Sequence, residues 1–201
     1  MDKGICNLEI YRETAIEAEI FYTDISELDI ENAKSFVSEY RIKKVEKLRT
    51  DENKRRSLGA ELLLIYALKE YGIHKPLEFV ENEHGKPYLK DACGLNFNLS
   101  HSGNVAACVV SKRQAGIDVE SKDRSSEQIA EKYFSKDEKK YPFGYIWTRK
   151  EALAKAAGVG ISIGLDKFSV VSDKVILNDV VYSLYSIEPE IKGYYLAVCV
   201  K

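Results

Sequence analysis

The chain is sparing with several residue types. Its 201 residues include 4 cysteines, 4 prolines, 3 histidines, 1 methionine and 1 tryptophan. Cys6, Cys93, Cys108 and Cys199 stand far apart and form no C-x-x-C pair. Free thiols are therefore expected rather than a disulfide scaffold or a zinc site. No apolar run approaches the roughly 20 residues that a membrane-crossing helix needs, so no membrane partner is expected. Neither sign of charge dominates: 30 Lys and Arg face 32 Asp and Glu, a formal net charge of -2. That balance rules out a strongly charged disordered chain and gives no support to a nucleic-acid binder working through a basic surface. Residues Met1 to Cys6 lead into alternating sequence without a signal-peptide apolar region, and a cytoplasmic protein is expected. There is no internal repeat and no low-complexity linker.

What is present is ordinary for a folded chain: 45% hydrophobic and 31% charged residues. The N-terminal residues 7–23 alternate as one or two strands. A charged helix, broken at most once, is predicted over 29–48, and it carries the densest basic cluster: Arg41, Lys43, Lys44, Lys47 and Arg49. Thr50 or Asp51 caps a second helix that runs to Tyr71, with Gly72 as its stop. Short apolar runs at 76–80, 96–100, 105–110 and 115–119 read as strands. In the second half, helical patterns cover 125–134 and 135–157, the latter broken near Pro142 and Gly144. Strands joined by hairpins are predicted at 167–171, 175–176, 180–187 and 194–200. The fold class is α+β, in two similar-sized halves meeting near residues 112–116.

Three short stretches could carry chemistry. In Gly116-Ile117-Asp118-Val119-Glu120, strand periodicity puts Asp118 and Glu120 on one face. Such a pair is either a solvated surface feature or a site for a hard cation such as Mg²⁺. In Trp147-Thr148-Arg149-Lys150-Glu151-Ala152, followed by Lys155, the spacing 147, 151, 155 aligns Trp147, Glu151 and Lys155 on one helical face. A surface ion pair is the plain alternative. In Asn98-Leu99-Ser100-His101-Ser102, Ser100 and His101 point to opposite faces of a strand. They form no nucleophile–base pair and are better suited to binding a phosphate or a ribose.

With Gly85-Lys86-Pro87 ahead of them, these motifs occur in an order that strongly resembles the 4'-phosphopantetheinyl transferase superfamily, in its two-domain surfactin-activator type. The resemblance covers nearly the whole chain. It implies two α+β subdomains, 1–112 and 113–201, related by a pseudo-two-fold axis with a ligand cleft between them. It implies Mg²⁺ held by Asp118, Glu120 and Glu151, and coenzyme A as the substrate. Contacts to coenzyme A are implied for Arg55, Lys86, Ser100, His101 and Lys155, and the region around Lys43, Lys44 and Lys47 resembles the one that reaches the 3'-phosphate, without fixing which lysine does so. Glu138 matches a proposed general base, beside Glu151 and Lys155 in the catalytic set. Ser135 and Glu138 also read as a helix capping box, and a metal-bound water is the alternative base. The implied reaction moves 4'-phosphopantetheine to a serine of an apo-acyl or apo-peptidyl carrier protein, releasing 3',5'-ADP, and a monomer is expected. Two other readings share the same residues: a Mg²⁺-dependent enzyme acting on a nucleotide pyrophosphate, and a non-catalytic carrier-binding module.

Overall fold

A computed structural model describes residues 5–74, 77–81, 87–90, 94–158 and 163–201. The first strands, Tyr11–Ala15 (β1) and Ala18–Asp24 (β2), pair antiparallel as a hairpin. The basic stretch splits into two short helices, Ile30–Lys34 (α1) and Glu39–Val45 (α2). Asp29 caps the first and Ser38 the second, each through its side chain. Ser38 Oγ accepts from the amide of Arg41 at 3.2 Å and so opens a new helix, which places the break before Ser38. The long helix Asp51–Glu70 (α3) starts at Thr50, whose hydroxyl accepts from the amide of Asn53 at 3.3 Å. Of the run predicted at 76–80, Phe79–Glu81 (β3) is a strand and pairs with Pro87–Leu89 (β4). Asn96–Ser102 (β5), Val105–Ser111 (β6) and Ala115–Ser121 (β7) follow in quick succession.

The second half opens with Glu127–Tyr133 (α4) and a short 3₁₀ turn at Glu138–Lys140. Pro142 then caps Phe143–Ala157 (α5), so the predicted break lies at the proline and the helix runs on through Gly144. Lys174–Leu177 (β8), Val180–Ile187 (β9) and Tyr194–Val200 (β10) close the chain. The strand predicted at 167–171 is irregular backbone. Its acceptors are spent elsewhere: Arg149 Nε donates to Val170 O at 2.7 Å, and Lys150 Nζ to Leu165 O and Phe168 O at 2.8 and 2.7 Å. The Val170 amide likewise donates to Glu138 Oε1 at 2.9 Å, so these backbone groups are satisfied without a partner strand.

Two four-stranded antiparallel sheets result, in the orders β1-β2-β6-β5 and β7-β10-β9-β8. Three apolar clusters bind the layers. One packs α3 onto the first sheet through Leu58, Leu62, Phe21, Ala106 and Cys108. Another packs α5 onto the second sheet through Ile146, Leu153, Ala197 and Cys199. The third lies between the sheets, where Ile20, Val105, Ala107 and Val109 meet Ile117, Val119, Leu196 and Val198. Buried on both faces, β6 has all seven of its residues inside, which explains its continuous apolar sequence.

The edge strands β5 and β7 lie side by side. Side chains join them: Asn98 Oδ1 accepts from the amide of Ile117 at 3.1 Å, and Ser100 Oγ from the amide of Val119 at 3.3 Å. Residues 98, 100 and 102 point one way along β5 and so reach the neighbouring strand together. This seam sets where the first half meets the carboxylates of the second. Among the described residues, no helix is long and apolar enough to cross a membrane.

Candidate active site

Strand β7 divides its side chains between two environments. Ile117 and Val119 join the core between the sheets. Asp118 and Glu120 turn to the other face, towards α5, and both are buried. Helix α5 crosses directly over β7 because Gly116 leaves room for it. A Cβ at position 116 would collide with the carbonyl oxygen of Ala152 and the amide of Ala156, and would lie 2.8 Å from Lys155 Cβ. That approach brings Glu151 and Lys155, one turn apart, against the carboxylates of β7.

These groups line a cleft of about 430 Å³ together with Ser100 and His101 of β5, Trp147 of α5, Arg124, and Arg41 and Lys44 of α2. Lys155 Nζ donates to Asp118 Oδ1 at 2.7 Å, to Ile117 O at 3.0 Å and to Ser100 Oγ at 3.2 Å. Ser100 in turn donates to Asp118 Oδ1 at 2.8 Å. Its one proton and both lone pairs are thus engaged within the protein. Glu120 accepts from the Ser102 hydroxyl, from the Ser121 amide at 3.0 Å and from the Arg124 guanidinium. Burial raises the Asp118 carboxyl above its ordinary pKa, while Lys155 and Ser100 pull the other way. Burial likewise raises Glu151, against the pull of Lys155 and with the push of Asp118. Loss of hydration is the first cause that lowers the pKa of His101, and Lys155, Arg56 and Arg41 add to it.

The cleft therefore has a carboxylate floor and a cationic rim. Such an arrangement could hold a hard cation at the acids and an anion at the rim. Residues 114–199 match the 4'-phosphopantetheinyl transferase superfamily. The chain is 32% identical over 194 residues to the 4'-phosphopantetheinyl transferase psf-1 of Bacillus pumilus, covering 86% of this chain and 82% of that protein. It is 31% identical over 159 residues to the 4'-phosphopantetheinyl transferase Sfp of Bacillus subtilis strain 168, covering 73% of this chain and 71% of that protein. To another 4'-phosphopantetheinyl transferase of Bacillus subtilis it is 36% identical over 125 residues, a match spanning 56% of each chain.

The chain belongs to the 4'-phosphopantetheinyl transferase superfamily. As such it is a transferase, and its resemblance to the surfactin-activator type is carried through most of its length.

Of the residues named from the sequence of this transferase, Asp118, Glu120, Glu151, Lys155, Ser100 and His101 meet in the one cleft. Lys86 lies outside the described residues. Arg55 is not among the lining residues; its Nε donates to Leu28 O at 3.1 Å and ties α3 to the chain before α1. Glu138 stands apart from the cleft and is fully buried. Its Oε2 accepts from the amide of Ser135 at 2.7 Å, and its own amide donates to Ser135 Oγ at 3.2 Å. Oε1 accepts from the amide of Val170 at 2.9 Å and pairs with Lys150 at 2.9 Å. The capping box is the reading that this geometry favours, and a carboxylate so engaged and enclosed has no path to a substrate proton.

Of the three lysines that the resemblance puts near the 3'-phosphate, Lys44 lines the cleft and Lys43 and Lys47 do not. Two contributors were missed in the sequence. Arg41 was visible only as a member of a basic run. Arg41 is fixed by Glu61, a buried acid of α3 that accepts from Arg41 Nε at 2.8 Å and from the amide of Ser38 at 2.7 Å. An acid inside the apolar run Gly59-Ala60-Glu61-Leu62-Leu63-Leu64 was the available signal, since acids are rarely buried unpaired. Arg124 lies in the loop after β7 and carried no signal at all.

Among the described residues no group of three His, Cys, Asp or Glu is drawn together as a metal site. Lys155 and Arg124 are the counter-charges of Asp118 and Glu120 here. The donor chemistry nonetheless fits a hard divalent ion, being all oxygen and all carboxylate.

Proposed function

We propose that this cleft is the transfer site: it binds coenzyme A together with Mg²⁺ and receives a serine hydroxyl from an apo-acyl or apo-peptidyl carrier protein. One observation carries the reading. Asp118, Glu120, Glu151 and Lys155 converge from a strand and a helix on a single cleft whose rim supplies Arg41, Lys44, Arg124 and His101. Mg²⁺, held by the three carboxylates, would neutralise charge on the pyrophosphate of coenzyme A. Arg41, Lys44 and His101 bind phosphate oxygens, and Trp147 closes the wall beside Glu151. The serine oxygen bonds to the phosphorus on the pantetheine side, and the bond from that phosphorus to the bridging oxygen breaks. 3',5'-ADP leaves with the electron pair. Glu151 lines the cleft with a carboxylate of two oxygens, one for the cation and one to accept the serine proton. Lys155 keeps Asp118 oriented and a positive charge on the wall.

Residues 1–112 and 113–201 form two subdomains of a monomer related by a pseudo-two-fold axis in this reading. Its support is that each contributes one four-stranded antiparallel sheet backed by one long helix. Lys86 and Arg55 remain candidates for the outer end of coenzyme A, and neither a nucleic acid nor a membrane has a role.

The test is incubation with coenzyme A, Mg²⁺ and an apo-carrier protein, followed by intact mass of the carrier. Asp118→Asn and Glu151→Gln should each slow transfer by roughly a hundredfold or more. Turnover within a few-fold of wild type in both would remove the assignment. Coenzyme A cleaved without mass gained by the carrier would favour the pyrophosphate-cleaving reading. Carrier bound but unmodified, with no cation uptake, would favour the binding module.

A further inference from the structure

The two acids of β7 are neutralised in different ways. Lys155 is tied by three bonds to β7 and β5, and 26% of its side chain is exposed. Arg124 stands in the turn between β7 and α4, where its amide donates to Ser121 O at 3.2 Å, and 45% of its side chain is exposed. Its guanidinium meets Glu120 Oε2 and lies 5.9 Å from the ring centroid of Trp147. Only the arginine side of this pair is open to water, since Glu120 is buried, so the guanidinium can leave for solvent while the carboxylate stays behind in need of another cation. Glu120 itself is fixed by its other oxygen: Oε1 accepts from the Ser102 hydroxyl and the Ser121 amide.

We infer that Arg124 is a resident counter-ion of the cleft, which releases Glu120 Oε2 when a divalent cation binds. The inference rests on the cation reading of the preceding subsection and adds a residue to it. Glu120 does not swing when Arg124 leaves, because Oε1 stays bonded to Ser102 and Ser121. Glu120 lines the same cleft as Asp118 and Glu151. In the cation-free protein Arg124 offsets the repulsion among three acids, and on loading it withdraws into solvent. Arg124 is a positioning residue, acting through Glu120. Its departure also uncovers one face of Trp147, the single tryptophan of the chain, so intrinsic emission reports the exchange.

The experiment uses the full chain with saturating coenzyme A and no carrier, so that nothing turns over. Mn²⁺ is the probe; free Mn²⁺ is counted by electron paramagnetic resonance while Trp147 emission is recorded. Wild type should take up Mn²⁺ with a change in emission. Arg124→Gln should bind Mn²⁺ roughly two- to fivefold tighter, the scale of an ion pair with one partner open to water. Its emission before Mn²⁺ should already match that of loaded wild type. Lys122→Gln removes the same charge from the same turn but from a residue whose carboxylate partner is Glu188, 3.9 Å away. Its affinity and emission should stay at wild-type values. Equal tightening in both variants would mean a general field effect and overturn the exchange. Unchanged affinity and emission response in Arg124→Gln would do the same while leaving the cation reading intact. No Mn²⁺ uptake by wild type would overturn the cation reading and the exchange with it.

Discussion

Glu138 and Lys150 are a pair of opposite charges with no exposed side-chain surface, 2.9 Å apart. Burial pushes the Lys150 ammonium below its ordinary pKa, and Glu138 holds it charged. Breaking such a pair from one side leaves a charge in the interior without its complement. Glu138→Gln keeps the capping box yet should cost about 3–5 kcal/mol, read as a fall in the urea midpoint. Turnover per folded molecule should stay near wild type, and the double change Glu138→Gln/Lys150→Met should recover part of the loss. A stable Gln variant that has lost turnover would return Glu138 to the chemistry. The capping box was legible because it is written in residues three apart. Its ion pair was not, because Lys150 lies on another element and only folding brings the two together. A second residue-scale outcome concerns Cys199, whose thiol burial pushes up to about 12. The unfolded thiol ionises near its ordinary value of about 8.5, so the folded state holds a proton that the unfolded state gives up. This contribution is complete below the unfolded value and is lost as pH rises towards the folded one. From roughly pH 9 to 10.5, stability should fall less steeply in Cys199→Ala than in wild type. Equal slopes would assign the alkaline loss to other groups.

Helix α5 shows how one element serves two sides. Trp147, Glu151 and Lys155 face the cleft, while Arg149 and Lys150 turn inward and hold the irregular segment 165–173 by its carbonyls. The cleft face was readable from the four-residue spacing. The inward pair was not, since a Lys and an Arg beside a Glu look like any solvated helix surface. For the same reason the run at 167–171 looked like a strand: its apolar residues are buried, but its hydrogen-bond acceptors belong to α5. The distance of α5 from β7 depends on the absence of a side chain at Gly116. Gly116→Ala should force the helix away, cost about 1–3 kcal/mol as overpacking does, and shift Glu151 and Lys155 from Asp118. Transfer should fall by more than the loss of folded protein accounts for, as measured by turnover alongside circular dichroism. Undiminished turnover would mean that the helix can be lifted without consequence.

At the scale of the whole molecule, the core between the sheets belongs to neither half. Ile20, Val105, Ala107 and Val109 come from one, and Ile117, Val119, Leu196 and Val198 from the other. A fragment of residues 113–201 would expose that apolar face to water, at roughly 25 cal/mol for each Å². It should therefore lack a cooperative thermal transition alone and gain one when mixed with 1–112. A cooperative transition in the isolated fragment would show that the shared core is dispensable. The break between β6 and β7 was legible because the connection there, Lys112-Arg113-Gln114, is short and polar. That the two sheets would share a core was not, because alternation names a buried face without naming what covers it.

The junction of β5 and β7 has a consequence of a different order. A backbone ladder is the same whatever residues occupy it, so mutation barely touches its spacing. Here the link runs through Asn98 and Ser100, groups that single-base changes can lengthen, shorten or remove. The gap between the two walls of the cleft is thereby heritable in small increments. A lineage can widen or narrow its substrate slot residue by residue while both sheets keep their own pairing untouched.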